Sequence, residues 1–141
     1  MSPRESNSDH LSCRLSGTGA IIEAAEAARA FGQSRWLSDD ELARLCIVVE
    51  ELVANLYDHG GLTNEDEVAL DFAVEPDGIR VAIGDPGASF DPWRTPRNAV
   101  PAERGGGVGI DIVRAWASFI SYSPSPGGNW LEFLLPVHWE R

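Results

Sequence analysis

The stretch from Leu42 to Gly61 constrains the fold most, because it predicts one long helix with a wide apolar side. Hydrophobic residues recur there at three- and four-residue spacing, the period of an amphipathic α-helix. Ser38 followed by Glu41 forms a capping box that marks the helix start, and Gly60 with Gly61 marks its end. The apolar positions are Leu42, Leu45, Val49, Leu52, Val53 and Leu56.

A row of polar residues runs along the edge of this apolar side. At about 100° per residue, Glu51, Asn55 and His59 fall on one line of the helix surface. Such groups are costly to bury unless something pairs with them, and Asn is a poor helix former in mid-helix, which favours a functional role. Glu51 taken alone would be an ordinary exposed residue. His59 fits a hydrogen-bonding residue at the helix end better than a catalyst.

Composition limits the class of protein. The 141 residues predict one domain, residues 10–141, after a disordered tail at residues 1–9. A net charge of −11 argues against nucleic acid or an anionic membrane as a partner.

All eleven basic residues are arginines, so lysine chemistry is excluded. Cys13 and Cys46 lie at apolar positions without metal spacing, which is typical of a reduced cytoplasmic protein. No signal-peptide pattern or membrane-spanning apolar run is present.

The remaining periodicity predicts the fold class. Alternating segments predict strands at residues 10–15, 68–74, 79–83, 119–122 and 131–135, and the turn at 75–78 makes the second and third of them a hairpin. Helices are predicted at residues 20–31 and 109–117. Because each strand alternates, one sheet face is buried. We therefore expect an α/β (α+β) two-layer sandwich, with a mixed, mainly antiparallel sheet and helices on one face. The inward residues of the first helix are predicted to be Ile21, Ala24, Ala25, Ala28 and Phe31.

Two further segments complete a candidate ligand site. Asp85 continues the inward parity of Ile79, Val81 and Ile83, so its carboxylate should face the helices, although it could simply cap a turn. A glycine cluster then precedes the last helix, where glycines and free backbone amides can hold an anion. The cluster comprises Gly105, Gly106, Gly107, Val108 and Gly109. An acceptor pocket, an anion cradle and a polar helical row together suit a nucleotide.

These segments resemble the N, G1 and G2 boxes of the GHKL (histidine-kinase-like) ATPase superfamily. The matching residues are Glu51, Asn55, His59 and Gly60; Asp85, Gly87, Phe90, Asp91 and Pro92; and residues 105–109, while Gly128-Asn129 resembles a weak final box. The order, the spacing and the short length are most similar to the bacterial anti-sigma-factor serine/threonine-protein kinases. The resemblance covers roughly residues 10–136, with Ser89 standing where many members have a second glycine.

The resemblance implies a role for each matched residue. Glu51 would be the general base, and Asn55 would bind Mg²⁺ and so help to hold ATP. Asp85 would accept a hydrogen bond from the adenine amino group, and Gly87 would let the base approach the backbone. Gly105, Gly106, Gly107, Val108 and Gly109 would form a phosphate-binding lid. These roles fit phosphoryl transfer, which depends on positioning and charge neutralisation.

Some assignments stay open at the level of sequence. No polar residue on the last strand receives a role. Arg104 could contact a phosphate or be solvated, and Trp93 could be a lid contact or a surface residue. Asp91 and Pro92 are predicted to shape their loop. Residues 91–107, rich in proline and glycine, predict a lid that is disordered until ATP orders it.

The resemblance implies an ATP-dependent protein serine/threonine kinase of the partner-switching type. Its partners would be a STAS-domain antagonist, phosphorylated on a serine, and a sigma factor or similar target, with a homodimer left open. The alternative is a non-catalytic module in which ATP only controls partner binding. A sensor histidine kinase fits less well, because the chain has no room for a dimerisation and phosphoacceptor helix pair.

Overall fold

The computed structural model describes residues 5–7, 9–94 and 108–139. This part of the chain forms six strands and three helices. In chain order they are β1 (Glu5–Asn7), β2 (His10–Ser16), α1 (Ala20–Ser34), α2 (Asp39–His59), β3 (Glu67–Glu75), β4 (Gly78–Asp85), α3 (Val108–Trp116), β5 (Ser118–Ser123) and β6 (Asn129–Pro136).

One sheet holds the six described strands in the order β1-β2-β3-β4-β6-β5, and each neighbouring pair among them is antiparallel. The predicted hairpin is confirmed, with Glu75 opposite Gly78 across the turn. Inner-face residues such as Phe72, Val81 and Phe133 are fully buried. The predicted two-layer α+β sandwich is therefore confirmed, but the sheet was predicted to be mixed and its described strands pair only antiparallel.

All three helices lie on the inner face of this sheet and close one core with it. Small side chains on α1 let this helix pack closely against α2. At Gly32 the two helices are so close that a methyl group would press on Leu42 of α2. The buried side of α1 differs slightly from the predicted one: Ala20 and Ala27 are buried, whereas Ile21 and Ala25 are only half-buried.

The long helix α2 begins and ends as its sequence predicts. The Glu41 N–H donates to Ser38 Oγ at 3.2 Å, and the Ser38 N–H donates to Glu41 Oε1 at 3.0 Å. Gly60 caps the C-terminus, and Gly61 follows with a left-handed φ of 73°, which glycine adopts without steric cost. These caps set the limits of α2, and its buried residues, such as Leu45, Val49 and Val53, mark the face that meets the core.

Three further expectations concern the rest of the chain. Strand β1 lies inside the segment predicted to be a disordered tail, and the domain start at residue 10 stays a prediction. Cys13 and Cys46 are both buried, as predicted, and no disulfide joins them in the described part of the chain; burial raises the pKa of the Cys46 thiol. Among the described helices, none is long and apolar enough to cross a bilayer.

Candidate functional site

Asp85 ends β4 with its side chain on the inner face, as strand parity predicts. The residue is only 8% exposed, and burial raises the pKa of its carboxyl group. Two donors oppose this shift: the Gly87 N–H at 2.8 Å and the Asn129 carboxamide at 3.2 Å, both to Asp85 Oδ1. The result is a buried acceptor held in one orientation, which is what recognition of an amino group requires.

Asn129 is the site residue to which sequence reasoning gave no role. It lies directly opposite Asp85 in the β4–β6 register and is 5% exposed. Besides Asp85, its Nδ2 donates to the Gly87 carbonyl at 2.9 Å and the Ala88 carbonyl at 3.3 Å. One carboxamide therefore ties the carboxylate to the loop that follows it. A sequence signal existed, because Asn129 shares the parity of the inward-facing Leu131.

The loop after Asp85 packs against the C-terminal end of α2. A methyl group on Gly87 would collide with the Gly60 carbonyl oxygen and with Leu62, so only glycine fits there. The Ala88 N–H donates to the Gly60 carbonyl at 2.7 Å. This contact brings Asp85 and the polar row of α2 to the same end of the core.

The polar row of α2 faces this region, with its middle residue buried more deeply than the other two. Asn55 is 4% exposed, deeper than the helix-edge position predicted for it, and its Nδ2 has no hydrogen-bond partner within the described part of the chain. Glu51 and His59 are half-buried on the turns before and after it. The His59 Nε2 is likewise buried without a described partner, and its ring stacks on Phe90 at 5.5 Å. Buried polar atoms without partners mark a place where a ligand could supply them.

The start of α3 approaches the same row. A methyl group on Gly109 would collide with the Glu51 carboxylate, so the carboxylate lies directly on the first turn of α3. Val108 opens this helix. Of the predicted lid, residues 91–94 are described, whereas residues 95–107, which include Arg104, Gly105, Gly106 and Gly107, lie outside the described residues.

Trp93, whose position the sequence left open, packs against the sheet. Its ring lies 5.6 Å from that of Phe119 and 6.0 Å from that of Phe133. Asp91 and Pro92 shape the loop, as predicted: Asp91 Oδ1 accepts from the Trp93 N–H at 2.9 Å, and the Pro92 carbonyl accepts from Arg114 Nε at 2.9 Å. The segment is thereby tied to α3 and β5.

An open cavity of about 640 Å³ lies at the same end of the sheet, on the face that the helices do not cover. Its lining includes outward-facing residues such as Arg14, Gly84 and Trp130, and Asp85 and Asn129 border it at the sheet end. Neither Glu51 nor Asn55 contributes to this cavity. We therefore place the candidate site on the helical side, where the buried carboxylate and the polar row of α2 meet.

The fold and this arrangement define a nucleotide-binding α+β sandwich. The family model of the histidine kinase-like ATPase domain matches residues 17–135, and the chain belongs to that family. Membership implies ATP as the ligand. No curated protein matches the sequence significantly.

A solved structure supports the same fold. The crystal structure of the RsbU and RsbW domains of Rv1364c from Mycobacterium tuberculosis superposes with a TM-score of 0.59 at 16% sequence identity. The match covers 89% of this chain and 32% of that one, so this chain spans about a third of its length.

Proposed function

We propose that the chain is an ATP-dependent protein serine/threonine kinase of the partner-switching, anti-sigma-factor type. It would phosphorylate a serine on a STAS-domain antagonist and bind a sigma factor or similar target. The observation that best supports this is the contact of Glu51 of α2 with the first turn of α3, one helical turn from the buried Asn55 and at the end of the core where Asp85 lies. The similarity to an RsbW-containing structure supports the choice of kinase type.

The residues present fit Mg-ATP. Asn55 offers a buried carboxamide whose Nδ2 lacks a described acceptor, which a phosphate oxygen could supply, and its oxygen is a ligand of the type that Mg²⁺ prefers. No group of three or more His, Cys, Asp or Glu side chains among the described residues could hold a metal by itself. That suits Mg²⁺, which binds through one or two protein oxygens and nucleotide phosphates. When bound, the ion would neutralise charge on the phosphates.

The chain's own residues then have distinct tasks. Asp85, oriented by Asn129 and by the Gly87 N–H, would accept the adenine amino group. The Asn55 carboxamide oxygen would hold the ion beside the phosphates. Glu51 would accept the proton of the attacking serine hydroxyl, since its carboxylate lies against α3, the helix that follows the glycine cluster.

Glu51→Gln tests the kinase assignment, with Glu50→Gln as the matched control. The variant keeps the size of the side chain and removes the base, so we expect phosphoryl transfer to fall by about 10²-fold or more. ATP affinity should change little, because the base acts on the hydroxyl. Glu50 is exposed on the neighbouring helix position and should be silent.

The measurement is single-turnover phosphorylation of a STAS-domain protein captured from the source cell with ATP, followed by phosphosite mapping and ATP titration. Unchanged transfer in Glu51→Gln would remove Glu51 from the mechanism. Absence of transfer by the wild type, with ATP and partner both bound, would favour the non-catalytic binding module.

A further inference from the structure

The space beside Asp85 that a base would enter is closed. Its lining residues are Leu52, Leu56, Ile83 and Leu131, together with Phe90, Pro92 and Tyr122. The remaining cavity is about 10 Å³. A single water molecule needs roughly 10–15 Å³ measured in this way, and small-molecule sites are typically about 300–1,000 Å³. A nucleotide base cannot enter without a rearrangement.

Phe90 is the side chain best placed to move. It is half-buried, and its ring stacks on His59 with an interplanar angle of 18°. Its backbone N–H donates to the Tyr122 hydroxyl of β5 at 2.8 Å. The stacking contact with His59 and the hydrogen bond to Tyr122 therefore help to hold Phe90 beside the cavity, and both are weak enough to exchange.

The chain on both sides of Phe90 is more firmly attached. On one side, Ala88 bonds to Gly60 and to Asn129. On the other, Arg114 holds the Pro92 carbonyl and Trp93 packs on Phe133. We call residues 88–94 the strap. Its ends are anchored, so motion that opens the site is confined to its middle, around Phe90.

We propose that the strap is a gate for the nucleotide and that the structure describes its closed form. Phe90 occupies the mouth of the base pocket, and the Tyr122 hydroxyl is the latch that holds it there. This inference rests on the proposed nucleotide-binding function. Because only the open form accepts a base, apparent affinity equals intrinsic affinity multiplied by the open fraction. Loosening the latch should therefore strengthen binding.

Tyr122→Phe tests the latch, with Tyr57→Phe as the matched control. The Tyr57 hydroxyl donates to the Asp66 carbonyl at 3.3 Å, away from the strap. Removing the Tyr122 hydroxyl leaves the Phe90 N–H without its partner in the closed form. We expect a fluorescent ATP analogue in stopped flow to associate and bind roughly 2- to 10-fold better, the factor that one neutral hydrogen bond represents. Tyr57→Phe should match the wild type.

Phe90→Ala tests whether the Phe90 ring blocks the base pocket. It should accelerate association of the ATP analogue more than Tyr122→Phe does. Thermal melts verify that each variant folds. Binding by the wild type with equal rates in all variants would overturn the gate and leave the proposed function standing. Weaker binding by Tyr122→Phe would also overturn it, since Tyr122 would then contact the nucleotide directly. Binding by Phe90→Ala but not by the wild type would support the gate. No binding by any variant would overturn the proposed function itself.

Discussion

At the scale of single residues, the burial of Asp85 links stability to ligand recognition. Folding moves this carboxyl group out of water, which disfavours its charged form and raises its pKa above the ordinary 3.8. A raised pKa means that its contribution to stability is complete below the unfolded value and is lost as pH rises through the folded value. At neutral pH the ionised carboxylate therefore costs stability, and the fold retains it as an acceptor.

Asp85→Asn should separate these two effects. ATP affinity should fall roughly 10- to 100-fold, since a hydrogen bond to a charged acceptor is worth about 1.5–3 kcal/mol. The melting temperature at pH 7 should rise, and this gain should shrink as pH falls through the raised pKa of Asp85 toward 3.8. Calorimetry and thermal melts across pH measure both.

Asp77→Asn is the matched control for that experiment, because Asp77 carries the same charge in the exposed β3–β4 turn. It should leave ATP affinity unchanged and should not give the pH-dependent gain. A melting temperature lowered at pH 7 by Asp85→Asn would show that the carboxylate stabilises the ligand-free fold, contrary to the argument from burial.

At the scale of secondary-structure elements, the contact between α2 and α3 sets the position of Glu51. The two helices meet where Gly109 faces the Glu51 carboxylate, with no room for a methyl group between them. The obstacle is the end of a side chain, so a methyl group there would force the Glu51 carboxylate to move. Gly109 therefore mainly determines the direction of the Glu51 carboxylate. It has less effect on whether α2 and α3 pack together.

Gly109→Ala should impair transfer without unfolding the protein. Alanine gains at most about 1 kcal/mol over glycine in a helix interior and less in the first turn, where Gly109 lies, and this gain opposes the contact that the methyl group creates. We expect stability within about 1 kcal/mol of the wild type and a clear fall in phosphoryl transfer, as Glu51 is displaced. Gly127→Ala is the control, because nothing lies within 4 Å of a methyl group there. If Gly109→Ala leaves the rate of phosphoryl transfer unchanged, the observed position of the Glu51 carboxylate does not matter for that reaction.

At the scale of the whole molecule, acidic charge dominates. The 22 acidic and 11 basic residues leave a net charge of −11, so the folded chain repels itself. Salt screens this repulsion, because the Debye length falls from about 30 Å at 0.01 M to about 8 Å at 0.15 M. The negative electrostatic potential of the chain also favours partners with basic surfaces.

Raising NaCl from about 0.01 M to about 0.15 M at pH 7 should raise the melting temperature by a few degrees, the shift that roughly 1 kcal/mol gives in a domain of this size. Differential scanning calorimetry measures it. The same titration near the isoelectric point of about 4.5 is the control, since little net charge remains to be screened. If the melting temperature at pH 7 stays constant or falls as salt is added, repulsion among the acidic residues does not lower the stability of the fold.

Local patterns were sufficient for much of the fold. The limits of α2, the β3–β4 hairpin and the inward direction of Asp85 all follow from helix period, caps and strand parity. These features depend on neighbours in sequence, so the amino-acid order contains them. The exact face of α1 did not follow, because alanines on adjacent positions are equally suited to burial.

The amino-acid sequence by itself determined the two layers, the polar row of α2 and the carboxylate at the end of β4. Tertiary structure alone decided what these groups meet. Asn129 reaches Asp85 across 44 residues because β4 and β6 pair in one register, and Phe90 reaches His59 because the strap folds back over α2. Register and helix packing are settled by the burial of the whole core, and no local pattern specifies them.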